Sequence, residues 1–163
     1  MAIGKIFIIL GGLLSILGTF VFAVYNILPG LVGSGLGFAL NIPDLFALDP
    51  ALLGIDAIIY YLLLVVFIIF LVAGILQFVG LKSRIVGIIF SLFPLGVGLM
   101  FILLIYTTIL GPISALFALF FIGEQFGNFF PILVDLGGLG LGVYFLLGGG
   151  ALGLIGCILP SGD

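Results

Sequence analysis

The chain has 163 residues, of which 65% are hydrophobic and 6% charged, with a net charge of −3 at pH 7. Soluble domains carry about 25% charged residues, so this composition excludes a water-soluble class and predicts an all-α polytopic membrane protein, one domain over residues 1–163. Three basic residues and no histidine give no electrostatic footprint for nucleic acid, or for a polybasic contact with anionic lipid heads.

The charges fall into blocks of alternating sign: Lys5; then Asp44, Asp49 and Asp56; then Lys82 and Arg84; then Glu124 and Asp135; then Asp163. The charge-free runs between them, residues 6–43, 57–81, 85–123 and 136–162, each exceed the roughly 20 apolar residues needed to cross about 30 Å of hydrocarbon. Four antiparallel crossings are predicted. The basic residues sit at the N-terminus and the second turn. The positive-inside bias therefore puts both termini on the cytoplasmic side of the cell membrane, with acidic loops 29–49 and 111–136 outside.

The first helix is expected over residues 2–28, stopped by Pro29-Gly30. Lys5 ahead of an apolar stretch with Val21, Phe22 and Ala23 has the outline of a secretion signal. The stretch is longer than an ordinary signal core and reads as an anchor kept as the first helix. Gly30, Gly33, Gly35 and Gly37 follow without the lysine of a phosphate loop, so a flexible turn is expected. Asp49-Pro50 supplies an acidic cap and a proline at the first position of a second helix, residues 50–79. Gly80 closes that helix, and a tight turn leads into a third over residues 84–110, with a kink at Pro94. Residues 112–131 carry Phe117, Phe120, Phe121, Phe126, Phe129 and Phe130. Their charge-free part is too short to span, so a short interfacial helix is expected there. The fourth helix is expected over residues 137–159.

No set of ligands for haem, an iron–sulfur cluster, copper or ordinary zinc is present. Cys157 stands alone, and the methionines are Met1 and Met100. No cofactor and no enzymatic activity are expected. Asp56 is expected about two turns into the second helix with Tyr60 on the same face, either as a cation or substrate contact or as a hydrated acid favoured by the helix dipole. Asp44, Asp49, Glu124 and Asp135 are weak further candidates for an outer cation, without the spacing of a calcium loop. All five tyrosines map to the outer halves of the helices and read as an aromatic belt. The sharper alternative is a polar cavity lined by Tyr25, Asn26, Asp56, Tyr60, Tyr106 and Thr107.

Gly4, Gly11 and Gly18 recur every seven residues in the first helix, with Ser15 on the same stripe. Gly142, Gly149 and Gly156 repeat the spacing in the fourth, flanked by Gly138 and Gly153. Small residues at these intervals let backbones approach closely, which is how helices associate where lipid removes the hydrophobic drive. The two stripes close the bundle against each other or face another subunit.

Residues 5–20 (KIFIILGGLLSILGTF) and 139–160 (LGLGVYFLLGGGALGLIGCILP) resemble the first and last helices of small archaeal-type tetraspan membrane proteins, a resemblance that implies no known activity. Four crossings with two outer loops are also similar in topology to claudins and to connexin- and innexin-type channels. Those families carry paired outer-loop cysteines, and claudins a tryptophan signature; this chain has one cysteine and no tryptophan. The expected function is a self-associating scaffold, or an accessory subunit of a larger membrane complex, joined through the outer loops and the phenylalanine-rich segment. The alternative is a pore-forming oligomer with an acidic, tyrosine-rich vestibule.

Overall fold

In a computed structural model, residues 2–160 are described; Met1 and Asp163 of the sequence pattern lie outside them. Helix α1 (Ile3–Ile16) widens into a π turn over Leu17–Val21 and leads to strands β1 (Tyr25–Leu28) and β2 (Leu31–Gly33). Next come α2 (Gly35–Ala47), α3 (Ala57–Leu76, extended by a 3-10 turn over Gln77–Leu81) and α4 (Arg84–Tyr106). Helix α5 (Ile113–Phe121), strands β3 (Ile122–Glu124), β4 (Asp135–Leu136) and β5 (Leu139–Gly140), and α6 (Leu141–Ile158) complete the chain. Four of these helices, Ile3–Val21, Ala57–Leu81, Arg84–Tyr106 and Leu141–Ile158, are long and apolar enough to cross a membrane.

The four long helices pack as a ring in the order α1, α6, α4, α3. All the remaining elements gather at one end as a cap. Its centre is an antiparallel sheet in the order β1-β2-β3, with Tyr25 opposite Gly33 and Val32 opposite Gly123. A second, short hairpin pairs β4 with β5.

The cap replaces much of what the sequence assigned to helix ends and loops. The first helix stops at Val21, well short of residue 28. Phe22 N donates to Leu17 O, a five-residue closure that unwinds the helix. Beyond it Ala23 N donates to Ile132 O, and Val24 O accepts from Gly140 N, so sheet-like partners take over the backbone groups. Pro29-Gly30, expected to stop a helix, forms the β1–β2 turn, with Gly30 at φ +83 as a turn with glycine in third place requires. The supposedly flexible loop 29–49 is largely β2 and α2, the latter capped by Ser34 Oγ accepting from Gly37 N at 2.9 Å.

Residues 50–53 are a separate 3-10 turn ended by Gly54 at φ +67, so the second long helix starts at Ala57. The third ends at Tyr106, where Thr107 turns extended and its hydroxyl bonds back to Leu103 O. Gly137 and Gly138, expected at the start of the fourth helix, both have positive φ and form the β4–β5 turn instead. Helix α4 continues through Pro94, which is buried.

Candidate assembly interface

The glycine stripes of α1 and α6 meet each other. A Cβ on Gly4 would lie 2.7 Å from Gly156 O, one on Gly11 2.6 Å from Gly153 N, and one on Gly18 2.8 Å from Gly142 O. The order of these pairs makes the helices antiparallel, with no room for a side chain at these glycine positions. Ser15 lies on this seam against Gly149. Gly142 abuts the carbonyls of Phe22 and Ala23 where α1 ends. Gly138 is not part of the seam, since it belongs to the β4–β5 turn.

At the level of Gly149 and Gly153 the other three long helices each turn one polar side chain inward: Ser15, Gln77 and Ser91, all with no exposed surface. Ser91 Oγ donates to Gly87 O at 2.7 Å. Ser15 Oγ and both polar atoms of the Gln77 carboxamide have no hydrogen-bond partner among the described residues. Gln77 and Ser91 were not singled out in the sequence, although Gln77 is the one carboxamide in the charge-free run 57–81, a legible signal in an apolar segment.

The six phenylalanines of the second loop divide into two groups. Phe117, Phe120 and Phe121, expected at an assembly surface, are buried within the fold. Phe121 is a hub, with ring centroids 5.3 Å from Phe38, 5.0 Å from Phe67 and 5.0 Å from Phe101. Amphipathic α5 therefore lays one aromatic face into the mouth between α3 and α4. Phe126 and Phe129, by contrast, are 60% and 66% exposed, and Phe130 is half-buried.

The exposed pair sits on a well-fastened turn. Phe126 N donates to Phe130 O at 2.7 Å, Gln125 N to Gly30 O at 2.8 Å, and Gln125 Nε2 to Pro131 O at 2.7 Å. Gly127 and Asn128 both take left-handed φ to close it. The bond to Gly30 puts this turn beside the tip of the β1–β2 hairpin, where Leu28 is also exposed. A cleft of about 200 Å³ runs alongside, between α2 and β3, with Phe126 and Leu40 at its walls.

The carboxylates do not converge. Asp49 Oδ1 accepts from Ala51 N, Asp56 Oδ1 from Ile58 N, and Asp135 Oδ1 from Gly138 N, so these three cap backbone turns. Asp56 is the N-cap of α3 and not two turns inside it. Asp44 and Glu124 are exposed elsewhere on the cap. Among the described residues no three acidic, histidine or cysteine side chains are placed to hold a metal. The vestibule set is not brought together either. Tyr25 OH donates to Ala118 O at 2.6 Å and Tyr60 OH to Leu45 O at 2.8 Å, both rings buried. Tyr106 OH donates to Gly137 O and Tyr144 OH to Leu136 O. Burial holds the Tyr25 phenol well above its ordinary ionisation range.

No family model, curated protein or solved structure matches the chain.

Proposed function

We propose that this chain is a non-enzymatic membrane assembly protein, its four long helices crossing the bilayer antiparallel with both termini cytoplasmic and its cap joining it to further copies of itself. The observation that carries this reading is the fixed turn bearing Phe126 and Phe129. A turn held by three hydrogen bonds loses little conformational entropy on docking, and its two large rings stay uncovered by a cap that buries three others. Leu28 and Leu40 extend the apolar surface on either side. The α1–α6 seam confines any association to other surfaces, because glycines used within the chain are not on offer to a neighbour.

The test is the size of the particle in mild detergent and in lipid nanodiscs. Wild type is expected to run as an oligomer, and Phe126→Ser/Phe129→Ser as a smaller, folded particle, with association weakened on the order of tenfold to hundredfold. A wild-type particle that is monomeric in both media sinks the assembly reading and leaves the turn as a lipid anchor.

A further inference from the structure

Three of the long helices each send a polar side chain toward the fourth. Ser15 comes from α1, Gln77 from the turn that extends α3, and Ser91 from α4, and all three are fully buried against α6. A Cβ on Gly149 would collide with Ser15 Oγ, and one on Gly153 would collide with Ser91 Oγ and lie 3.2 Å from Gln77 Nε2. The two glycines thus leave the space in which the polar heads sit. They are one helical turn apart, so the two positions are separated by about 5–6 Å on one face of α6.

A hydroxyl in a helix has a ready acceptor in the carbonyl one turn back. Thr19 Oγ1 donates in this way to Ser15 O and Ser91 Oγ to Gly87 O, both at 2.7 Å. Ser15, the remaining buried hydroxyl of the membrane-length helices, does not: its Oγ has no partner among the described residues, and neither Nε2 nor Oε1 of Gln77 has one. Groups buried unpaired cost their full desolvation, and nearly all buried polar atoms in folded proteins find a partner in the chain or in ordered water.

We infer that Ser15 and Gln77 form an internal hydration site that holds one or two water molecules inside the bundle. The chemistry of the unpartnered atoms selects water. Whichever way the Gln77 carboxamide is turned, it presents one donating and one accepting end, and Ser15 Oγ can do either. Their ligand must therefore both give and take hydrogen bonds. A cation would meet the donating end unfavourably, and the acid nearest to Gln77 on its own helix, Asp56, caps the opposite end of α3. An anion would meet the accepting end. Buried waters typically make about three hydrogen bonds to groups otherwise unsatisfied, and three such atoms are gathered here. With hydrogen bonds of about 2.7–3.2 Å on either side, one water spans about 5–6 Å between two partners. That matches the separation of the two glycine positions. The site is enclosed by the bundle while the exposed phenylalanines lie on the cap, so it stands or falls independently of the assembly reading.

The test is nuclear magnetic resonance on the full chain in nanodiscs, with heavy nitrogen on the glutamine side chains. The glutamines are Gln77 and Gln125, so a Gln77→Leu sample assigns both signals, or Gln125→Leu if the first does not fold. Cross-relaxation between the Gln77 amide protons and water is expected, of opposite sign in the laboratory and rotating frames, as a bound water gives and proton exchange with bulk water does not. Ser15→Ala removes one partner of the water and should weaken its hold by a factor of about two to ten, the worth of one hydrogen bond. If that variant does not fold, Ser15→Gly removes the same hydroxyl. A water signal at Gln77 that weakens with the loss of the Ser15 hydroxyl sustains the inference. No water signal at Gln77, or one that the Ser15 variants leave unchanged, overturns it. So does a Gln77 resonance that moves with sodium or potassium concentration at constant ionic strength, which would mark a cation site.

Discussion

Four of the five tyrosines act as fasteners. Tyr25, Tyr60, Tyr106 and Tyr144 stand near the ends of the long helices, and each phenol donates to a carbonyl of the cap, in α5, α2 and the β4–β5 turn. A tyrosine suits this place because its ring packs with apolar side chains while its hydroxyl satisfies a backbone acceptor at the far edge. Tyr25 is the most informative of them, since burial raises its ionisation above the ordinary value of about 10. A phenol that keeps its proton in the fold but loses it in the unfolded chain makes stability fall as pH rises above about 10, because the unfolded state then binds fewer protons. Tyr25→Phe removes both the bond to Ala118 O and the ionisable group. The variant should be less stable than wild type by about 1 kcal/mol at neutral pH, and the difference should narrow as pH rises past 10. Unfolding followed by circular dichroism across that range checks it, and parallel curves for the two proteins would count against it.

Among the elements, the α1–α6 seam makes the sharpest demand on side-chain size, and neighbouring glycines of one helix separate its two faces. A Cβ on Gly149 meets Ser15 N at 2.6 Å and Gly11 O at 2.8 Å, whereas one on Gly148 meets nothing closer than the end of Leu14 at 3.8 Å. Gly149→Leu is therefore expected to cost about 1–3 kcal/mol or to prevent folding, with Gly148→Leu close to wild type. Thermal stability in detergent measures both, and equal effects at the two positions would mean that the seam is not close-packed. The seven-residue glycine spacing made these contact positions readable in advance, because it records a helix face directly. The cap was not readable in the same way. Residues 22–33 are apolar throughout apart from Asn26, and short apolar runs carry no period that tells strand from buried helix. Pro29-Gly30 therefore passed for a helix stop when it was a hairpin turn. Asp56 could be read as a helix-start acid, yet the left-handed Gly54 that makes it the cap is visible only in the backbone. The sequence points Phe117, Phe120 and Phe121 to an outer surface, because four spanning helices by themselves fill a bundle's interior. In the fold their rings pack against side chains of α3 and α4, Phe67, Phe70 and Phe101 among them.

For the molecule as a whole, the decisive feature is that the charges of the described residues are sorted by end. Lys5, Lys82 and Arg84 lie together at the end where α1 begins and α6 finishes, while Asp44, Asp49, Asp56, Glu124 and Asp135 lie at the cap end. The long helices between carry exposed apolar side chains such as Leu10, Leu13, Val65, Ile89 and Ile155 on their outer faces. Such a surface suits hydrocarbon and is unfavourable in water. On the proposed reading, the positive-inside bias would put the cap outside the cell and the basic end at the cytoplasm. That orientation, if the labelling below supports it, directs Phe126 and Phe129 to the external face, where the proposed assembly would take place. A labelling experiment decides it. In a Cys157→Ser background, single Asp49→Cys and Lys82→Cys variants are treated in intact cells with a thiol reagent that cannot cross the membrane. Position 49, exposed on the cap, is expected to react at once, and position 82 only after the cells are opened. The reverse pattern would invert the molecule, presenting the basic end to the exterior and the aromatic turn to the cytosol. Labelling of both positions in intact cells would mean that the four helices do not form a sealed crossing.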